Sequence, residues 1–241
     1  DRAEGSGGDV FDLIAAHHRL DARSEFPRVL EEARRLLGRA PSSPLPRNKP
    51  HKRPSTEPLG PATAQWEYRD IAGHLLAVVY RYDPPGGKKQ FRPWDAMRRK
   101  WAAPVPRPLY HQPGIVTAHT IVLVEGEKCA QALIDAGIVA TTAMHGANAP
   151  VEKTDWTPLA GKALLIWPDR DRPGWEYAMA VAQAALATGA TACDVLLPPE
   201  DRPEGWDAAD ALADGFDVAG FIASGPRMSI KPATATPTQE A

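Results

Sequence analysis

Cysteine is nearly missing from this chain: Cys129 and Cys193 are the only two, far apart in sequence. Two thiols cannot build a four-thiolate zinc site and do not suggest a disulfide framework, so no zinc and a reducing, cytoplasmic setting are expected. An excess of one charge is lacking too. Lys and Arg number 28 against 30 Asp and Glu, a net charge of −2. That excludes the global basic field of a purely electrostatic DNA binder and leaves nucleic-acid contact to local clusters. No apolar run approaches the ~20 residues that a bilayer crossing needs, and no signal peptide opens the chain, so no membrane partner is expected. The chain starts at Asp1 without a methionine and reads as a piece of something longer.

Proline, by contrast, is abundant, with 25 residues gathered in a few stretches. Residues 9–38 show helical spacing twice, with Val10, Leu13 and Ile14 on one face and Phe26, Val29, Leu30, Ala33 and Leu37 on another. That predicts a helical hairpin within 1–38. Residues 39–62 are proline-dense and poor in apolar side chains, which reads as a linker. Residues 63–117 turn strand-like: "QWEYRDIAGHLLAVVYRYD" is a hairpin with its turn at Gly73, and "PPGGKKQFRPW" adds a turn and a third strand. From 118 to 225 apolar strands ("TIVLV", "KALLIW", "ACDVLLP") alternate with helical stretches. This alternation predicts an α/β domain with a parallel sheet flanked by helices. Residues 226–241 show no apolar face and are expected to be a disordered tail.

In an open α/β sheet, ligands collect beyond the carboxyl ends of the strands. The acids fall there. "TIVLV" runs into Glu125-Gly126-Glu127-Lys128, "LLIW" into Pro168-Asp169-Arg170-Asp171, and "GWDAAD" carries Asp207 and Asp210 on one helical turn. Crowded carboxylates are most easily kept ionised by a shared cation. Oxygen ligands without His or Cys point to a hard ion, Mg2+ or Mn2+, and hence to phosphoryl chemistry. Each acid has an ordinary reading as well: Asp169-x-Asp171 suits a turn after a strand, and Asp207 suits a helix N-cap.

The ordered set "IVLVEGEKCAQAL … HGANAP … LLIWPDRDRPG … GWDAAD" resembles the TOPRIM domain, a Rossmann-like fold, and looks closest to the DnaG-like primases of phages and plasmids. The preceding β-rich stretch and the opening helices are similar to segments of the same proteins, so the resemblance covers nearly the whole chain. It implies a DNA primase that makes primers from NTPs on a single-stranded DNA template by Mg2+- or Mn2+-dependent nucleotidyl transfer. Glu125, Asp169 and Asp171 would be catalytic and metal-holding, with Asp207 or Asp210 as further metal acids. A replicative helicase, as a domain or a protein, would be a further partner. Two departures stand out: the zinc ligands of that family are absent, and His145-Gly146-Ala147 stands where Gly-Gly-Ala is commoner.

Other readings of the same acids are a TOPRIM metal-dependent nuclease and a non-catalytic DNA-binding replication module. The basic run Lys88, Lys89, Arg92, Arg98, Arg99 and Lys100 is interleaved with Phe91, Trp94 and Trp101. Together with Arg81 on the neighbouring strand it suits phosphate contact and base stacking, although the aromatics also suit a small domain's core. Arg81, Lys88, Lys89, Arg92 and Lys128 are therefore the candidates for nucleic-acid or NTP binding. Arg170 and Arg172 suit template contact or charge balance.

Overall fold

The structure is a computed structural model that describes residues 16–21, 28, 29, 32, 59–146 and 150–232. The chain divides into two compact units, Asp1–Glu57 and Pro58–Ala241. In the first, residues 16–18 are helical and His18 Nε2 lies 3.9 Å from Glu32 Oε2. Residues 28, 29 and 32 are helical as well; the remainder of the expected hairpin, nearly all of the proline-dense linker and residues 147–149 and 233–241 lie outside the described residues.

The second unit opens with an antiparallel sheet ordered β1 (Ala64–Arg69), β2 (Leu75–Tyr82), β3 (Gln90–Asp95) and β4 (Lys100–Trp101). The β1–β2 turn closes at Gly73, whose φ of 88° suits a residue without a Cβ. Alternation along the strands gives this sheet two different faces. Trp66, Tyr68, Ala77 and Val79 are buried on the inner one and join the core of the larger sheet.

A short helix, α1 (Gln112–Val116), leads into the α/β part: β5 (Thr120–Val124), α2 (Glu127–Asp135), β6 (Ala140–Thr141), β7 (Ala163–Trp167), α3 (Arg172–Ala187), β8 (Ala192–Leu196), α4 (Ala208–Ala213), α5 (Val218–Ser224) and β9 (Arg227–Ile230). The sheet order is β6-β5-β7-β8-β9, parallel except for β9. This is the expected architecture: a mostly parallel five-stranded sheet flanked by helices, preceded by an antiparallel sheet. The disordered tail is corrected in part. Arg227–Ile230 pairs along β8 from Leu196 to Cys193, and Ser229 Oγ donates to Asp194 Oδ1 at 2.6 Å. An edge strand needs backbone partners more than an apolar face, which is why its sequence reads as polar tail.

β5 and β7 are the central strands, and their side chains alternate between two cores. Ile121, Leu123, Leu164 and Ile166 pack against the Tyr177, Ala178, Val181, Ala182 and Ala185 face of α3. Val122, Val124, Leu165 and Trp167 pack against Cys129, Ala130 and Leu133 of α2, α4 and α5, and the inner face of the antiparallel sheet. Rings close this second core, with Trp167 5.9 Å from Trp206 and 4.9 Å from Phe221. The chain leaves β5 toward β6 on one side and returns to β7 on the other. The carboxyl ends of β5 and β7 are therefore the point where the winding reverses, the place such sheets reserve for ligands.

Candidate active site

Val124 pairs with Trp167 at the last register position of β5 and β7. Glu125 and Asp169 leave the sheet side by side, one and two residues later. Gly126, with φ 81° and ψ 153°, turns the chain into α2 in a conformation that a side chain would strain, and its N–H donates to Thr142 Oγ1 at 3.0 Å. Gly146 comes close on the other side: a Cβ there would stand 3.0 Å from Glu125 Cγ.

The "DRD" loop owes its shape to the start of α3. Asp171 is the N-cap and accepts from Gly174 N–H at 2.7 Å. Asp207 likewise caps α4, accepting from Asp210 N–H at 2.8 Å, while Asp210 Oδ2 accepts from Asp207 N–H at 3.4 Å. The capping role expected for Asp207 is thus present, shared with Asp210 and repeated at Asp171. A cap uses one carboxylate oxygen and leaves the other. Arg170 is a strut: its guanidinium donates to the carbonyls of Pro199 at 3.1 Å and Glu200 at 2.7 Å. Its backbone exchanges hydrogen bonds with Trp206 and Gly205. Arg172 lies on the surface and pairs with Glu176 at 2.7 Å.

A cavity of about 430 Å³ opens above these strand ends. Glu125, Glu127, Asp169 and Asp207 supply its acids; Arg81, Lys89 and Lys128 its cations; Trp66, Phe91 and His145 its rings. Among the described lining residues Asp171 and Asp210 are not present; they act on Asp169 through their charge. Lys88 is exposed in the β2–β3 loop, and Arg92 lies on the outer face of the antiparallel sheet, opposite Tyr80. Neither lines the cavity. Arg81 is engaged with Asp83 at 2.9 Å, whereas Lys128 has no hydrogen-bond or ion-pair partner among the described residues.

Three participants escape a sequence reading. Glu127 is buried and accepts from the Tyr68 hydroxyl at 2.7 Å, which ties β1 to the start of α2. Burial pushes its carboxyl above the usual range. In "EGEK" nothing marks it off from an exposed helix-start acid. Trp66 reads as an ordinary inward strand residue. The Cys129 thiol is raised by burial first and then by the charge of Asp207, and the two residues come from segments far apart in sequence.

Burial first, then the carboxylates of Glu125 and Asp207, push the Asp169 carboxyl up to about 8. All-oxygen donors under such mutual repulsion fit a hard divalent cation in kind. Among the described residues no three His, Cys, Asp or Glu groups are gathered to hold an ion unaided. The fit is therefore to an ion held by one or two carboxylates, with water and phosphate oxygens completing its shell. A pH dependence follows. Because the folded value lies above the unfolded one, Asp169's contribution to stability is complete below about pH 4 and is lost as pH rises through about 8. Without divalent metal, melting temperature is expected to fall across that window more steeply than in Asp169→Asn. Mn2+ should raise it at pH 8 and not at pH 5, as differential scanning fluorimetry would read. A melting temperature indifferent to Mn2+ at pH 8 would contradict this.

No family model and no curated protein matches the chain. Among solved structures it is similar to the zinc-binding and RNA polymerase domains of the Aquifex aeolicus primase, at 17% identity and TM-score 0.48 over 67% of this chain and 40% of that one. It is also similar to a DNA primase domain from Pseudomonas aeruginosa, at 16% and 0.48 over 68% and 51%. A third is the RNA polymerase domain of Mycobacterium tuberculosis DnaG, at 18% and 0.40 over 64% and 52%. The chain spans about half or less of those chains. Likenesses at these identities and TM-scores carry no argument about chemistry, which rests on the carboxylates and cations of the cavity.

Proposed function

We propose that this chain is the catalytic core of a DnaG-like primase, joining NTPs into primers on a single-stranded DNA template with Mg2+ or Mn2+. The observation that carries the reading is the meeting of Glu125 and Asp169 at neighbouring strand ends, with Asp207 beside them, in a cavity whose other walls bear Lys89, Lys128 and Phe91. Acids and cations in one hollow suit a polyphosphate, which needs a divalent ion on some oxygens and ammonium groups on others.

Glu125 and Asp169, helped by Asp207, would hold the ion. A divalent cation there supplies a Lewis acid that sharpens the attacking 3′-hydroxyl and offsets charge on the α-phosphate. Lys128 and Lys89 would bind phosphate oxygens and orient the triphosphate for in-line attack. Glu125 would also take the hydroxyl proton. The capping bonds at Asp171 and Asp207, with the Arg170 strut, fix the acid loops before substrate arrives, so little reorganisation is left for the reaction itself. The balance is one new phosphodiester bond against one broken phosphoanhydride, with pyrophosphate leaving. A replicative helicase and a cytoplasmic setting belong to the same proposal.

Labelled-NTP incorporation tests it. Short products are expected that depend on both single-stranded template and Mg2+ or Mn2+. Nicking of supercoiled plasmid with Mn2+ and no incorporation would replace the primase by a nuclease that uses the same acids. DNA binding with neither reaction would leave a non-catalytic replication module.

A further inference from the structure

The basic, aromatic stretch around β3 is only partly absorbed by the cavity. Register divides it. Arg81 stands opposite Phe91 and both line the cavity, whereas Arg92 opposite Tyr80, and Trp94 opposite Trp101, lie on the other face of the antiparallel sheet. On that outer face the rings support one another: Trp94 and Trp101 are 5.2 Å apart at 71°, Tyr80 and Trp101 5.5 Å apart at 58°. Trp101 is still 60% exposed, so its orientation is held while its ring meets solvent. A hollow of about 370 Å³ adjoins it, lined in part by Leu59, Tyr82 and Arg92.

The cations here lack acids. Arg92 Nη2 donates to the Gln90 amide oxygen at 2.9 Å, which leaves its charge uncompensated. The side chain of Arg99, in the turn between β3 and β4, has no hydrogen-bond or ion-pair partner among the described residues, in contrast to Arg98, which lies 3.5 Å from Asp95. Lys100, opposite Asp95, belongs to the inner face.

We propose that this outer face binds single-stranded nucleic acid, with a base stacked on Trp101 and phosphates met by Arg92 and by Arg99 in the adjoining β3–β4 turn. A supported, exposed indole accepts the π-face of any base, and uncompensated cations beside it follow a backbone of uniform charge. A proline-rich peptide also docks on exposed aromatic ridges, but it would give those two cations nothing to bind. The surface is separate from the acidic cavity and does not rest on the chemistry proposed for it.

The test uses the full chain without divalent metal and a fluorescein-labelled oligothymidylate of about 20 nucleotides, read by anisotropy. Trp101→Ala is expected to weaken binding about tenfold, with Trp101→Phe keeping most of it. Arg92→Ala should reduce the slope of log affinity against log salt by about one. Arg172→Ala, which removes a surface cation already paired with Glu176, should bind as the parent does. Melting curves identify a variant that has lost its fold, and Trp101→Phe then carries the comparison with Arg92→Ala. Parent-like binding by folded Trp101→Ala and Arg92→Ala would overturn the proposal. So would equal loss in Arg172→Ala, which would mean general charge attraction without a site, or binding of a proline-rich peptide in place of the oligonucleotide.

Discussion

Replacing Asp169 by asparagine is expected to lower template-dependent nucleotide incorporation by about a thousandfold or more. The amide keeps the shape and one acceptor oxygen but loses the charge that a divalent ion needs. Asp169 is the acid most affected by its neighbours: burial and four other carboxylates, Glu125 first, bear on it. Removing its charge relieves that repulsion, so the variant should be at least as stable as the parent at pH 8. Activity and stability then move in opposite directions, which separates a role in the site from a role in the fold. The rise in melting temperature with Mn2+ at pH 8 should shrink in the same variant. Incorporation within a few fold of the parent's would remove Asp169 from the site.

Gly174→Ala should be nearly as damaging although the residue touches no substrate. An added Cβ would meet the Asp169 carbonyl oxygen at 2.6 Å and the Asp169 nitrogen at 3.0 Å, with Asp171 Oδ1 at 3.1 Å. The first two are backbone atoms and cannot swing aside as a side-chain tip would. Relief requires moving either the first turn of α3 or the loop that presents Asp169, and the same glycine's N–H holds the Asp171 cap. Incorporation is expected to fall about a hundredfold, as displacement of a reacting group by about 1 Å can cause. Stability should fall by about 1–3 kcal/mol, the cost of overpacking, measured by urea unfolding. Full activity and stability in this variant would mean that the Asp169 loop tolerates more movement than its contacts suggest.

Much of this architecture is legible in the residues. The hairpin about Gly73 follows from period-two alternation around a turn residue, and the parallel sheet from strands and helices in alternation. The neighbouring positions of Glu125 and Asp169 follow from the rule that ligands gather at strand carboxyl ends, given that β5 and β7 are adjacent. What the residues hide is parity and partnership. Phe91 and Arg92 are one position apart in a basic run, yet one faces the cavity and the other the opposite side, because that depends on which face of the small sheet packs against the large one. The aromatics that also suit a small core are divided too: Trp94 is half-buried, whereas Phe91 and Trp101 are exposed. Glu127 is hidden because its burial comes from Tyr68, 59 residues earlier. Arg170, which suits template contact or charge balance in sequence, spends its guanidinium on carbonyls.

That last contact bears on how the chain can vary. The groups that Arg170 grips at Pro199 and Glu200 are main-chain oxygens, which every amino acid possesses. Evolution can therefore rewrite those two side chains freely while the spacing between the Asp169 and Asp207 segments is inherited unchanged. Drift along this stretch says little about whether a descendant keeps its chemistry; loss of the arginine would say a great deal.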